Sequence, residues 1–167
     1  MLQFAQAVRR SDQADDWHRE GQAMADKPFL AAALFCEKVL EQKDDVLTVI
    51  RIIDTFFVTI PPNLPQDMKP AIQLTGLLSF KKASPGAEGE THEARMKLRL
   101  PSGRIHSLPA RQFNFKPDEL SGFNLILNIS LGVEEYGLFW LEISVDGDEV
   151  VTRMPFKLLQ AAQTTIH

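Results

Sequence analysis

The sequence predicts an all-β protein, an antiparallel sandwich of about seven strands. Three observations carry that reading. In the segment from Gly137 to Leu158, two alternating apolar runs flank Asp146-Gly147, a dipeptide suited to the positive-φ turn of a tight hairpin. From His92 to Leu100 the alternation is nearly unbroken. Ala94, Met96, Leu98 and Leu100 take one face, and Glu93, Arg95, Lys97 and Arg99 the other, as in a half-solvated antiparallel strand. Finally, Pro, Gly and Asp turn signals recur along the chain with no Gly-rich strand-to-helix turn between them, which speaks against a doubly wound α/β fold.

Residues 1–27 stand apart. They are polar, with Leu2, Ala5 and Val8 near helical spacing and Trp17 further on. This extension is expected to be a frayed helix or a disordered tail, with Met24 as an alternative start. The β pattern begins at Phe29, where Phe29–Cys36 is almost wholly apolar although its alanines favour helix. Residues 37–45 read as a helical turn or charged loop, and Val46–Ile60 is rich in strand formers. Fifteen residues are long for one strand, so a bulge or bend is expected near Asp54. Ala71–Phe80 alternates, with Ile72, Leu74, Gly76, Leu78 and Phe80 on one face. Ile105, Leu108, Phe113 and Phe115 form a looser stretch, and Phe123, Leu125, Leu127, Ile129 and Leu131 another inward face. The domain is expected over 28–158, with a tail at 159–167.

A chain of 167 residues with 44 % hydrophobic and 24 % charged residues buries enough core to fold without a metal or disulfide. Its single cysteine, Cys36, cannot form an internal disulfide, which fits a cytoplasmic setting. Net charge is −4, and no Lys/Arg block exceeds pairs such as Arg9-Arg10 and Lys81-Lys82. The clustered cations that nucleic-acid binding requires are lacking. No apolar run approaches a membrane span, and the N-terminus is unlike a signal peptide.

Catalytic signals are sparse. No nucleophile elbow, phosphate loop or zinc-protease motif occurs, and no histidine or cysteine pair has ligand spacing. No enzyme activity, cofactor or metal is therefore expected. Cys36 reads as a buried thiol. Arg51 and Asp54 interrupt the apolar run Val49–Phe57, and residues three apart on a regular strand face opposite ways. With Glu37 they form a candidate polar site; a structural ion pair is the competing reading. In the closing hairpin a two-residue loop at Asp146-Gly147 sets Trp140 opposite Arg153, a cation–π arrangement. Leu138, Trp140 and Arg153 then form a candidate interaction surface on the outer face. Phe139, Leu141, Ile143 and Val145 fill the core.

Four stretches together resemble an uncharacterised domain-of-unknown-function family of bacteria and phage. They are Phe29–Leu40, Lys43–Asp54, Tyr136–Ile143 and Thr152–Phe156. The resemblance spans roughly 28–158. It implies a small immunoglobulin-like β-sandwich and supplies no activity and no catalytic residues. The strand Gly137-x-Phe139-x-Leu141 also runs like the penultimate strand of such sandwiches, although Tyr136 departs from the tyrosine-corner spacing. The function expected is a non-enzymatic interaction or accessory module with an unidentified protein partner, a homo-oligomer being left open. A small-molecule or carbohydrate binder at the sandwich end is the alternative. An enzyme built on Arg51, Asp54, Glu37 and a histidine is the third reading.

Overall fold

The computed structural model describes residues 28–43, 46–61, 63–65, 68–82, 91–115, 122–147 and 149–161. The expectations for the 1–27 extension, including Met24, lie outside the described residues, as does most of the C-terminal tail. The described chain is all-β. Its ten strands, against about seven expected, are β1 (Phe29–Glu41), β2 (Leu47–Ile52), β3 (Thr55–Val58), β4 (Ala71–Lys81), β5 (Thr91–Arg99), β6 (Ile105–Ser107), β7 (Arg111–Asn114), β8 (Gly122–Gly132), β9 (Gly137–Val145) and β10 (Val150–Gln160). They form two sheets, ordered β2-β1-β4-β8 and β3-β10-β9-β5-β6, with β7 also paired to β5. The higher count comes from two places. The long second run splits in two, and the looser stretch after Gly103 yields β6 and β7, both docked on β5.

Residues 37–41 are strand, not a helical turn. β1 bonds β4 through Phe29–Cys36 and β2 through Cys36–Glu41, so ladder pairing overrides both the alanines and the charged residues. Beyond Ile52 the chain changes sheet, at the bend expected near Asp54. Arg51 takes φ 47°. The Ile53 N–H donates to the Phe35 carbonyl at 3.0 Å, and the Lys157 N–H donates to the Asp54 carbonyl at 2.7 Å. The chain thus leaves an antiparallel partner in one sheet and enters a parallel pairing with β10 in the other. β10 itself continues to Gln160, two residues past the expected domain end at 158.

The inward faces of the two sheets meet in one core. Phe80, Phe139, Phe156, Leu74, Leu78, Leu141, Ile143 and Leu158 are almost fully buried, each worth about 1.5–3 kcal/mol as apolar surface removed from water. Phe35 of β1 meets Phe156 of β10 edge-on at 5.0 Å, and Phe139 stacks on Phe156 at 5.1 Å. At the other end Phe113 of β7 stacks between Phe80 of β4 and Phe123 of β8.

The closing hairpin differs from the two-residue loop expected. Ser144 pairs with Val150, and after a bulge Arg153 pairs with Glu142 and Trp140 with Pro155. Of Asp146 and Gly147, only Asp146 takes positive φ, at 51°, whereas a type I′ turn needs it at both central residues. The cause is non-local. The Asp146 carboxylate is bonded to β5, accepting from the Glu93 N–H at 2.8 Å and from His92 Nδ1 at 2.7 Å.

Candidate functional site

The outer face of the larger sheet carries the site. Alternation along β5, β9 and β10 places three cross-strand ranks there: Arg95 beside Ser144, Lys97 beside Glu142 and Arg153, and Arg99 beside Trp140 and Pro155. A charged residue on an outer face is ordinarily solvated, yet Glu142 is only 6 % exposed. Long side chains on both neighbouring strands cover it. Arg99 grips it with both prongs, Nε to Oε1 at 3.0 Å and Nη2 to Oε2 at 3.2 Å. Arg153 Nε approaches Oε1 to 3.4 Å from the other side. Such a fork-on-carboxylate contact is directional as well as charged. The Arg99 hydrogen bonds hold the Glu142 carboxyl below the usual carboxylate range. Desolvation opposes them, and the charges of Arg99, Arg153 and Lys97 add to them. The rank next to it carries half-buried Trp140, and Arg99, Trp140, Glu142 and Arg153 together line one shallow depression.

The structure sets Leu138, Trp140 and Arg153 on one outer face, as the alternation expects, but in a different register. Leu138 faces out at 40 % exposure and Trp140 shares that face, but Arg153 stands opposite Glu142. Its guanidinium is turned to a carboxylate rather than to the indole. Sequence reasoning missed Glu142 as a site residue. Its alternation gave the right face, but its burial depends on which residues lie across two ladders. The ladders continue the patch outward from Leu138. Leu138 pairs with Lys157, Lys157 with Thr55, and Leu159 with Phe57. Phe57 is 67 % exposed.

The candidate polar site of Glu37, Arg51 and Asp54 comes together only in part. Arg51 Nη1 donates to Glu37 Oε2 at 3.0 Å, but both side chains are at least half exposed. Asp54 takes no part in that pair and accepts instead from the Thr55 hydroxyl at 3.1 Å. The bend at Arg51–Asp54 lets both charges reach solvent, so neither has to be buried.

Two further clusters were not foreseen. His92 is 5 % exposed, packed at 5.5 Å against both Phe113 and Phe115, with its Nδ1 on Asp146 and its Nε2 unpartnered. At one end of the sandwich Arg104 Nη2 bridges Glu134 and Glu135 at 2.7 Å each, Lys69 also pairs with Glu134, and the Ser102 N–H donates to Glu135. The hydrogen bonds from Lys69 and then Arg104 bring the Glu134 carboxyl down to about 2. Cys36 is buried, and desolvation pushes its thiol up, which disfavours the nucleophilic thiolate. Among the described residues no group of three His, Cys, Asp or Glu side chains is placed to hold a metal ion, and no helix is long and apolar enough to cross a membrane.

In comparisons with known proteins, no family model matches the chain and no curated protein matches it. The site stands on its own residues.

Proposed function

We propose that the protein is a non-enzymatic interaction module that docks a partner protein on the outer face of its larger sheet. One observation carries the reading. A rigid, cation-clamped carboxylate at Glu142 sits beside half-buried Trp140, and the exposed apolar side chains of Leu138, Leu159 and Phe57 continue the same face. Protein interfaces favour this combination, with aromatic and Arg anchors at the centre and apolar neighbours that exclude water. Arg95, Lys97, Arg99, Arg153 and Lys157 outnumber Glu93 and Glu142 on these strands, so an acidic partner surface is the complement.

Two finer readings accompany it. An immunoglobulin type is supported by the connections: β4 neighbours β8 in one sheet, β5, β9 and β10 are adjacent in the other, and β3 runs parallel to β10. These match the B–E and C–F–G groupings of that fold. A cytoplasmic setting is supported by the lone free thiol of Cys36.

The test is site-specific photo-crosslinking in the native cells, with a benzoylphenylalanine probe in place of Leu138. The expected result is one discrete protein adduct that disappears when Trp140→Ala is added and does not form from the same probe at Lys38 on the other sheet. No adduct, or the same adducts from both positions, overturns the reading.

A further inference from the structure

β8 is the terminal strand of its sheet, bonded to β4 on one side along all eleven residues from Gly122 to Gly132, with no described strand on the other. Sheets rarely leave such an edge bare, because its row of N–H and C=O groups is a template for another strand. The strand's own sequence carries none of the usual guards. Gly-Phe-Asn-Leu-Ile-Leu-Asn-Ile-Ser-Leu-Gly contains no charged residue, no proline and no register shift against β4. By contrast, the opposite edge of the same sheet, β2, carries Arg51.

The edge also borders an opening between the sheets. Phe123, Leu125, Ile129 and Leu131 point inward yet are only partly buried. Beside them runs a groove lined by Leu98, Leu100, Leu108 and Phe139. An occupant that supplied both backbone hydrogen bonds and apolar side chains at every second position would satisfy the edge and the groove together.

We propose that a second copy of this chain fills the position, its β8 pairing antiparallel with the first about a two-fold axis at Leu127. The sequence of the edge is self-complementary in that register. Gly122 falls opposite Gly132, Phe123 opposite Leu131, and Leu125 opposite Ile129, all from residue numbers that sum to 254 about Leu127. Asn124 falls opposite Ser130 on the outer face. Apolar meets apolar inside, and polar meets polar or Ile126 outside, as an isologous interface requires. Lys81 pairs with Gly122, and its ammonium lies 2.7 Å from where a side chain on that glycine would begin. The two-fold brings this end of one copy beside the other copy's Gly132 end, where Glu134 and Glu135 are already held by Lys69 and Arg104. Two four-stranded sheets become one of eight strands. This surface is separate from the Leu138–Trp140 face, so either proposal can fail alone.

The test is sedimentation equilibrium of the full chain from micromolar to millimolar concentration, with two charge-pair variants. Asn124 and Ser130 are exposed, so Asn124→Lys/Ser130→Lys and Asn124→Glu/Ser130→Glu should fold, as circular dichroism would verify. The unmodified chain is expected to dimerise. Each variant alone sets like charges opposite one another twice and weakens the dimer by roughly tenfold. Mixing the two restores it through opposite charges. Hydrogen exchange on the unmodified chain gives a second readout, with β8 amides gaining protection as concentration rises. A chain that stays monomeric throughout overturns the proposal. So does a Lys variant that dimerises like the unmodified chain, a mixture that shows no recovery, or β8 amides whose protection ignores concentration.

Discussion

His92 and Asp146, 54 residues apart, are joined at 2.7 Å across the end of the larger sheet, and this one contact shapes the turn between β9 and β10. The carboxylate also accepts the Glu93 N–H, while the Asp146 N–H returns a bond to the Glu93 carbonyl. Three hydrogen bonds hold a residue at φ 51°, a conformation that Asp tolerates better than most side chains. Asp146→Ala strands the His92 nitrogen and the Glu93 amide and is expected to cost about 1–3 kcal/mol. Asp54→Ala, at an exposed carboxylate with a single neighbouring hydroxyl, should stay within about 0.5 kcal/mol. Urea unfolding of both variants checks the contrast. Equal losses would mean that Asp146 does not anchor the turn.

The buried Glu142 carboxylate has a pH signature. Its folded-state pKa lies below the usual value, chiefly through the Arg99 hydrogen bonds. The stability it adds is therefore fully present above the unfolded value of about 4.3 and is lost as pH falls through the folded value. Glu142→Gln keeps the shape and removes the charge. Because the Arg99 and Arg153 side chains are 39 % and 60 % exposed, solvent screens the pair, and the variant should be less stable at neutral pH by no more than about 1 kcal/mol. The gap between the two melting curves should close on acidification from pH ~5 downward. A gap that is constant or widens in acid would show that the carboxylate's charge is not what the arginines hold.

Which features could be read from the chain follows from their range. Alternation over 92–100 and 123–131 is a local, period-two signal, and the inward residues are those it names. The bend near Asp54 was legible because a fifteen-residue apolar run exceeds a usual strand. The hairpin register was not legible, since the loop length answers to His92 and Glu93 on another strand. His92 shares the parity of Ala94, so its inward position could have been read, but its partner could not. Glu142 was placed on the correct face. Its burial comes from Arg99 and Arg153, and the register that brings Arg153 there contains a bulge that no local pattern announces.

Glu134 offers a test of the end cluster that does not depend on stability. Its carboxyl is brought down to about 2, first by Lys69 and then by Arg104. A carboxylate so held stays ionised through the range in which glutamates ordinarily protonate, near 4.3. Carboxyl carbon NMR titration should find its midpoint well below the ordinary glutamate value, and Lys69→Met should move it up. A midpoint unaffected by that substitution would assign the depression to Arg104 alone.

Phe139 and Trp140 are chain neighbours on opposite faces of β9, and the pair tests the strand's orientation. Phe139 is 2 % exposed and stacks on Phe156 with planes 16° apart. Phe139→Ala empties a site walled by both sheets and is expected to cost about 3–5 kcal/mol. Trp140 lies on the outer face against Arg99 and Pro155, where only part of its ring leaves water. Its truncation should cost no more than about 1–1.5 kcal/mol, a fraction of full burial. Chemical unfolding of the two variants side by side decides the matter. A Trp140→Ala loss as large as that of Phe139→Ala would put the indole in the core, and the docking face proposed on β9 would have no aromatic anchor.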